Sequence, residues 1–451
     1  VKSLYNALEL NTADLLQVRE ATFMSKAPRL LLLSQVYPPD TPAVGQYMHE
    51  VASALADNGY EVTTLTSRKA YEDPRTEFPK REIRDNVYIR RLALSSFGKS
   101  SILIRLIGGI SFTLQCMVYG LFMRNLKHIV VSTSPPMCPL AAVILNVFRG
   151  TPITYWVMDL NPDQMIELGK ASPNSLQVKI FDWLNRQILK RAQTVIALDR
   201  FMGVRLQRKW NISNKLVIFP PWAMEDHVEP VEHADNPFRK KHGLEGKTVI
   251  MYSGNLSIAS PVDTILAVAK RVTDLDDLVF MFIGGGLVKK EIDELIAREN
   301  PPNIRTLPYQ PIEQLRYSLS AADVHLVAVG EKIVGICHPC KIYGAMAVAR
   351  PILSLGPPEC HVADILADNN IGWTIQHGDL DRAEQIVRQI YSIPSEMRMK
   401  MGCEALRLVN QKYGKLHLCG RFVRIVQLGP QADSASEASE IKALPALNQP
   451  R

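Results

Sequence analysis

Lys341 stands in the segment GICHPCKIYGAMAVARPILSLG (335–356), which reads as a loop, a helix opened by Pro339 in its first turn and a buried strand after Pro351. A helix N-terminus already carries partial positive charge, so a lysine there is out of place unless water solvates it or an anion lies beside it. Nucleotide phosphates are the anion that free N–H groups and an ammonium would hold together. Gly284, Gly285 and Gly286 follow a strand and precede a helix, the place of a nucleotide loop, although the dinucleotide pattern GxGxxG is incomplete. Gly45 lies in a Pro-rich loop just before a helix; its amide is placed either to meet a phosphate or simply to start the helix. Asp159 ends the strand PITYWVM and is followed by Asn161, Pro162 and Asp163. It is a candidate to orient or deprotonate an acceptor hydroxyl, or else to cap the next helix.

Two further groups are weaker candidates. Cys337 and Cys340 form a C-x-x-C at a helix start, an arrangement that lowers thiol pKa in redox proteins; with no second pair there is no zinc set, and ordinary packing is the favoured reading. His49 sits on the apolar first helix and is read as structural. No Asp-x-Asp stands at a strand end, so no metal is expected.

The elements that hold these residues alternate. RLLLLSQVY (29–37) is an apolar run of strand length, QYMHEVASALADNG (46–59) has helical spacing and a Gly stop, and YEVTTLTS (60–67) is a second strand. Uniformly apolar strands separated by helices mark a parallel sheet covered on both faces. The pattern continues through 128–134, 152–158, 194–198 and 215–219, loses its apolar period over 225–245, and restarts at 248–254, 278–286, 304–307, 324–329, 351–356 and 372–376. The expected fold is α/β: two doubly wound Rossmann-like domains facing a central cleft, with ligands at the carboxyl ends of the strands. The expected division is an N-terminal extension over 1–27, a first domain over 28–224, a second over 225–400, a closing helix over 401–428 and a disordered tail over 429–451.

With 451 residues, 47% apolar, 22% charged and seven scattered cysteines, the chain is neither a disordered polymer nor a disulfide-stapled module nor a multi-span membrane protein. The net charge of +7 is concentrated: residues 65–128 hold 12 Lys or Arg against five Asp or Glu, a difference of +7. The same region holds LIGGISFTLQCMVYGLFM (106–123), 18 residues without a charge between Arg105 and Arg124. At about 27 Å this is borderline for spanning, and strands on both sides belong to one sheet. The expectation is an interfacial helix at an anionic membrane, with no nucleic-acid partner. No signal peptide is evident in the first residues, so the protein is expected in the cytoplasm, peripheral at the inner face of the cell membrane.

Taken in order, LLLSQVYPPDTPAVGQYMHEVASALADNGYEVTTLTS, STSPP (132–136), WVMDLNPD (156–163), KLVIFPPW (215–222), MYSGNLS, FIGGG and HPCKIYGAMAVARPIL resemble the retaining glycosyltransferases of family 4, which have the GT-B architecture. The similarity covers about residues 29–428, and is to the subgroup acting in exopolysaccharide, colanic-acid-like or O-antigen assembly. There a Pro-Ser-Lys-x-Tyr motif occupies the place of Pro339, Cys340, Lys341, Ile342 and Tyr343.

The resemblance implies transfer of a hexose from a nucleotide-sugar donor, usually UDP-linked, to a lipid-linked or saccharide acceptor, with retention and no metal cofactor. It puts the donor on the second domain near Asn255, Gly284, Gly285, Pro339, Cys340, Lys341 and Tyr343, the acceptor near the Gly45 loop and Asp159, and the closing helix back on the first domain. The family's paired glutamates fall on Ile336 and Gly344, leaving Glu331 as a substitute, and the usual basic residues are missing from SGNLSIASPVD. The alternatives are a UDP-sugar 2-epimerase-like enzyme and a catalytically silent GT-B assembly subunit.

Overall fold

A computed structural model describes residues 27–40, 42–71, 73–95, 102–223 and 229–433. The extension before residue 27, the tail after 433, residue 224 and residues 225–228 of the expected 225–245 connection lie outside them. The chain divides into two compact units at Thr154/Tyr155.

The first unit contains β1 (Arg29–Leu33), α1 (Ala43–Asp57), β2 (Glu61–Ser67), β3 (Arg81–Arg84), β4 (Val87–Leu92), α2 (Ile102–Phe122), β5 (Leu126–Ser132) and α3 (Pro139–Arg149), and runs into β6 (Ile153–Val157). The second continues with α4 (Asp163–Glu167), α5 (Leu176–Arg191), β7 (Thr194–Ala197), α6 (Arg200–Lys209) and β8 (Leu216–Ile218). It then carries α7 (Pro237–Lys241), β9 (Thr248–Asn255), α8 (Asp263–Arg271), β10 (Leu278–Gly285), α9 (Leu287–Glu299), β11 (Ile304–Leu307), α10 (Leu315–Ser320) and β12 (Val324–Ala328). It closes with α11 (Lys341–Ala347), β13 (Ile352–Leu355), α12 (His361–Asn369), β14 (Gly372–Ile375), α13 (Leu380–Ser392), α14 (Ser395–Lys412) and α15 (Lys415–Leu428).

Two sheets result, ordered β3-β4-β2-β1-β5-β6-β7-β8 and β11-β10-β9-β12-β13-β14. The central strands Leu30–Leu33, Val249–Tyr252 and Val279–Ile283 are almost wholly enclosed, as parallel strands covered on both faces must be. The strand order reverses beside β1 in one sheet and β9 in the other, so loops at the carboxyl ends of those strands are where such sheets bind ligands.

The structure corrects several local expectations. The first strand stops at Leu33 rather than residue 37. An antiparallel hairpin, β3–β4, stands where no strand was expected; its turn residues Asp85 and Asn86 both have positive φ, 48° and 62°, the two-residue turn that right-twisted hairpins favour. The expected closing helix, 401–428, is broken between Lys412 and Lys415, and residues 429–433 form a short 3₁₀ turn rather than opening the tail. Helix α2 is longer than its apolar text and connects β4 to β5 of one sheet.

The closing helix α15 packs against β6 and the end of β8. Phe422 lies against Trp156 and Phe219, with ring centroids 4.8 and 5.7 Å away. Arg421 Nη2 donates to the Ile218 carbonyl at 2.8 Å. These contacts tie α15 to β6 and β8.

Candidate functional site

Lys341 is the first residue of α11, with Cys340 at the cap position and no side-chain cap. Pro339 therefore precedes the helix rather than sitting in its first turn. The ammonium does not extend freely: Nζ donates to the Tyr252 hydroxyl at 2.6 Å and to the Asn255 carbonyl at 3.2 Å. It also lies 4.6 Å from the centre of the Tyr252 ring. The Tyr252 hydroxyl donates to the same Asn255 carbonyl at 2.7 Å. Among the described residues no carboxylate lies within ion-pair distance of Lys341. An ammonium has three N–H donors, so one remains for an incoming group.

Lys341 lines a cavity of about 250 Å³ together with Ser253, Gly254, Tyr309, Gln310 and Gly344. The glycines of this region are explained by close backbone approach. A Cβ on Gly284 would stand 1.9 Å from the Gly254 carbonyl oxygen, at φ 141°. On Gly286 it would stand 2.2 Å from the Leu256 carbonyl oxygen and 2.6 Å from Asn255 Oδ1. The Leu256 amide donates to the Gly285 carbonyl at 2.7 Å. The loops after β9 and β10 are thus pressed together, and Asn255 is held between them and Lys341.

Residues 336–338 are fixed by the half of the first sheet that includes β6 and β7. The Leu160 amide donates to the Ile336 carbonyl at 3.0 Å, and Asp159 and Cys337 form an isolated antiparallel bridge. Gln164 Nε2 donates to Cys337 Sγ at 2.8 Å. Burial raises the Asp159 carboxyl above the ordinary range, opposed by a hydrogen bond from Cys337. Burial, followed by the Asp159 charge, raises the Cys337 thiol far above its ordinary value. Such a thiol is a poor thiolate nucleophile at neutral pH, which counts against a redox role for Cys337.

Sequence reasoning missed a relay beneath this loop. Asp199 caps α6 by accepting from the Met202 amide at 2.8 Å through Oδ1, while Oδ2 faces His338 Nδ1 at 2.9 Å. His338 Nε2 in turn faces the Tyr343 hydroxyl at 2.9 Å. Burial alone would raise the Asp199 carboxyl, but the bond and charge of His338, the charge of His361 and the Met202 amide hold it below the ordinary range. The ionised carboxylate therefore accepts a hydrogen bond from Nδ1–H, and Nε2 shares the second bond of the relay with the Tyr343 hydroxyl. His361 stacks on His338 at 3.8 Å, and burial, then the His338 charge, pushes it down to about 3. The only signal in the sequence was the histidine beside Pro339, since Asp199 lies 139 residues away.

Asp199, His338 and His361 have one ligand atom each within 4.8 Å of one another, close enough to hold a cation.

The remaining expected residues fall as follows. Tyr343 is fully enclosed, with its hydroxyl given to His338. Cys340 Sγ contacts the His338 carbonyl at 3.4 Å. Glu331 lies on an exposed turn after β12, and Ile336 and Gly344 are buried. In the first unit, Gly45 lies within α1, where a Cβ would meet the Tyr37 amide nitrogen at 2.9 Å, so packing alone requires glycine. His49 bridges the Tyr37 hydroxyl at 2.9 Å and Asp85 Oδ2 at 2.8 Å, a structural role.

Two tandem α/β sheets and a lysine-bearing helix start beside a cavity define a GT-B protein. Residues 43–222 match the glycosyl transferase 4-like domain, and residues 235–407 match the glycosyl transferases group 1: the chain belongs to the family 4 glycosyltransferases. It is 25% identical over 258 residues to the glycosyltransferase WbjE of Pseudomonas aeruginosa, covering 57% of this chain and 64% of that protein, somewhat under two thirds of its length. It is 24% identical over 338 residues to the colanic acid biosynthesis glycosyl transferase WcaI of Escherichia coli K12, covering 71% and 81%. Among solved structures, Anabaena HepE in complex with UDP and glucose superposes with a TM-score of 0.64 at 12% identity, over 88% of this chain and 99% of that one.

Proposed function

We propose that this glycosyltransferase moves a sugar from a nucleotide donor, UDP-linked as in the HepE complex, to a lipid-linked or saccharide acceptor in the assembly of a cell-surface polysaccharide. The relative named for colanic acid biosynthesis supports the setting, and the placement of Lys341 carries the chemistry. Its ammonium is anchored by Tyr252 and Asn255 in the lining of a cavity, with no carboxylate within ion-pair distance among the described residues. A departing diphosphate is stabilised there by a fixed positive charge that needs no reorganisation. Asp159, with its raised carboxyl, orients or deprotonates the acceptor hydroxyl. Same-face attack guided by the leaving phosphate gives retention. No metal is required, because Lys341 supplies the neutralising charge.

The test is sugar transfer or donor hydrolysis over a panel of nucleotide sugars. Lys341→Ala should lower kcat by about 10² to 10³, and EDTA should leave wild-type turnover unchanged. A catalytically silent assembly subunit is the second reading, favoured by Ile336 and Gly344 in place of glutamates; absence of turnover with every donor establishes it.

The protein works at the inner membrane surface. Along α2, Ile107, Ile110, Leu114, Val118 and Phe122 form an exposed stripe, Phe122 being 84% exposed, with Arg105, Arg124 and Lys127 exposed at or beyond its ends. Apolar contact and basic flanks together suit an interfacial helix on anionic lipid.

A further inference from the structure

A larger cavity, about 560 Å³, lies in the first unit between the C-terminal end of α2 and the sheet. Arg29 opens β1 and Glu61 opens β2, so the cavity lies toward the amino ends of these strands. Ligand sites of parallel sheets lie at the carboxyl ends. The glycosyl-transfer chemistry therefore leaves this cavity unassigned.

Its lining is charged on one side and apolar on the other. Arg29, Arg81, Arg90 and Arg124 line it against a single acid, Glu61, which pairs with Arg29 at 2.8 Å. Arg81 and Arg90 are directly opposite each other in the β3–β4 ladder, where like charges repel. Arg90 lies 4.6 Å from the Tyr119 ring centre, and neither Arg90 nor Arg124 has a carboxylate within ion-pair distance among the described residues. Arg90 and Arg124 thus present to the cavity the forked donors that phosphate takes in pairs. Val118 and Phe122, the last two residues of the exposed stripe on α2, line the same cavity.

We propose that this cavity is a recognition site for the phosphate headgroup of an anionic membrane lipid, whose acyl chains run beside Val118 and Phe122. The inference rests on the membrane reading given above and sharpens it, from a charged surface to a defined site. A phosphomonoester, with more charge and more free oxygens than a diester, is the preferred headgroup.

The test measures binding of the full chain to phosphatidylcholine vesicles doped to equal surface charge with phosphatidic acid or phosphatidylglycerol. Wild type should prefer phosphatidic acid, and the pair Arg90→Gln, Arg124→Gln should lose that preference and bind about 30-fold more weakly, at roughly fivefold per charge. The pair Arg105→Gln, Lys127→Gln, outside the cavity, should weaken binding to both vesicles and leave the preference intact. Equal wild-type binding to both vesicles overturns the headgroup site but not membrane association, whereas failure to bind either overturns both. Displacement from phosphatidic acid vesicles by inorganic phosphate at its ordinary cellular concentration would mark a free-phosphate site and overturn the lipid assignment. Donor hydrolysis in the absence of vesicles, unchanged in both variant pairs, keeps these outcomes separate from the glycosyl-transfer reading.

Discussion

At the residue scale, Lys341 was legible because a lysine at a helix start conflicts with the helix dipole, and that conflict is local in sequence. Asp199 and His338 were not, because 139 residues separate them and neither violates a local rule. Their relay gives Tyr343 a fixed partner and so fixes the start of α11. In Asp199→Asn the amide no longer holds Nδ1–H of His338 as a charged acceptor does. The expected result is a clear fall in Tm with a raised donor KM, while kcat changes less. His338→Asn, which keeps one bond of the two, should fall between wild type and Asp199→Asn in both measurements. A fall in kcat alone would place the relay in the chemistry instead.

At the element scale, the alternation of strands and helices was readable throughout, since buried parallel strands are short, uniformly apolar runs. The β3–β4 hairpin escaped because its strands carry charge: REIR and VYIRRL hold Arg81, Arg84, Arg90 and Arg91. The Asp85-Asn86 turn was the missed signal. The triple glycine was noticed for phosphate binding, yet the structure gives those positions a prior duty in packing two loops. Gly284→Ala puts a methyl carbon into the Gly254 carbonyl at a backbone conformation that alanine resists. The expected cost is about 3 kcal/mol or more, read as a lowered urea midpoint with unchanged slope.

At the scale of the whole molecule, acid sensitivity follows from histidines enclosed in the neutral state. Burial brings His128 and His325 from an ordinary 6.5 to about 4, and His361 to about 3. A folded value below the unfolded one means that the unfolded chain binds the proton first. Their contribution is therefore complete above about pH 6.5 and is lost as pH falls toward 4. By pH 5 each such group costs about 2 kcal/mol. Asp199, held low, adds its loss only further into acid, and Asp159, held high, works in the opposite direction. Urea unfolding at pH 7.5 and pH 5 should show a steep drop, and His325→Gln should flatten it.

The contact between α15 and β6 also makes the protein its own optical probe. Trp156 and Trp222 are sealed from solvent, with Trp156 touching Phe422, whereas Trp183 and Trp210 already face water. Detaching the last helix would move the emission of the sealed pair to longer wavelength, while iodide quenching of the exposed pair stayed constant. Loosening of α15 can thus be timed by fluorescence, with no dye attached.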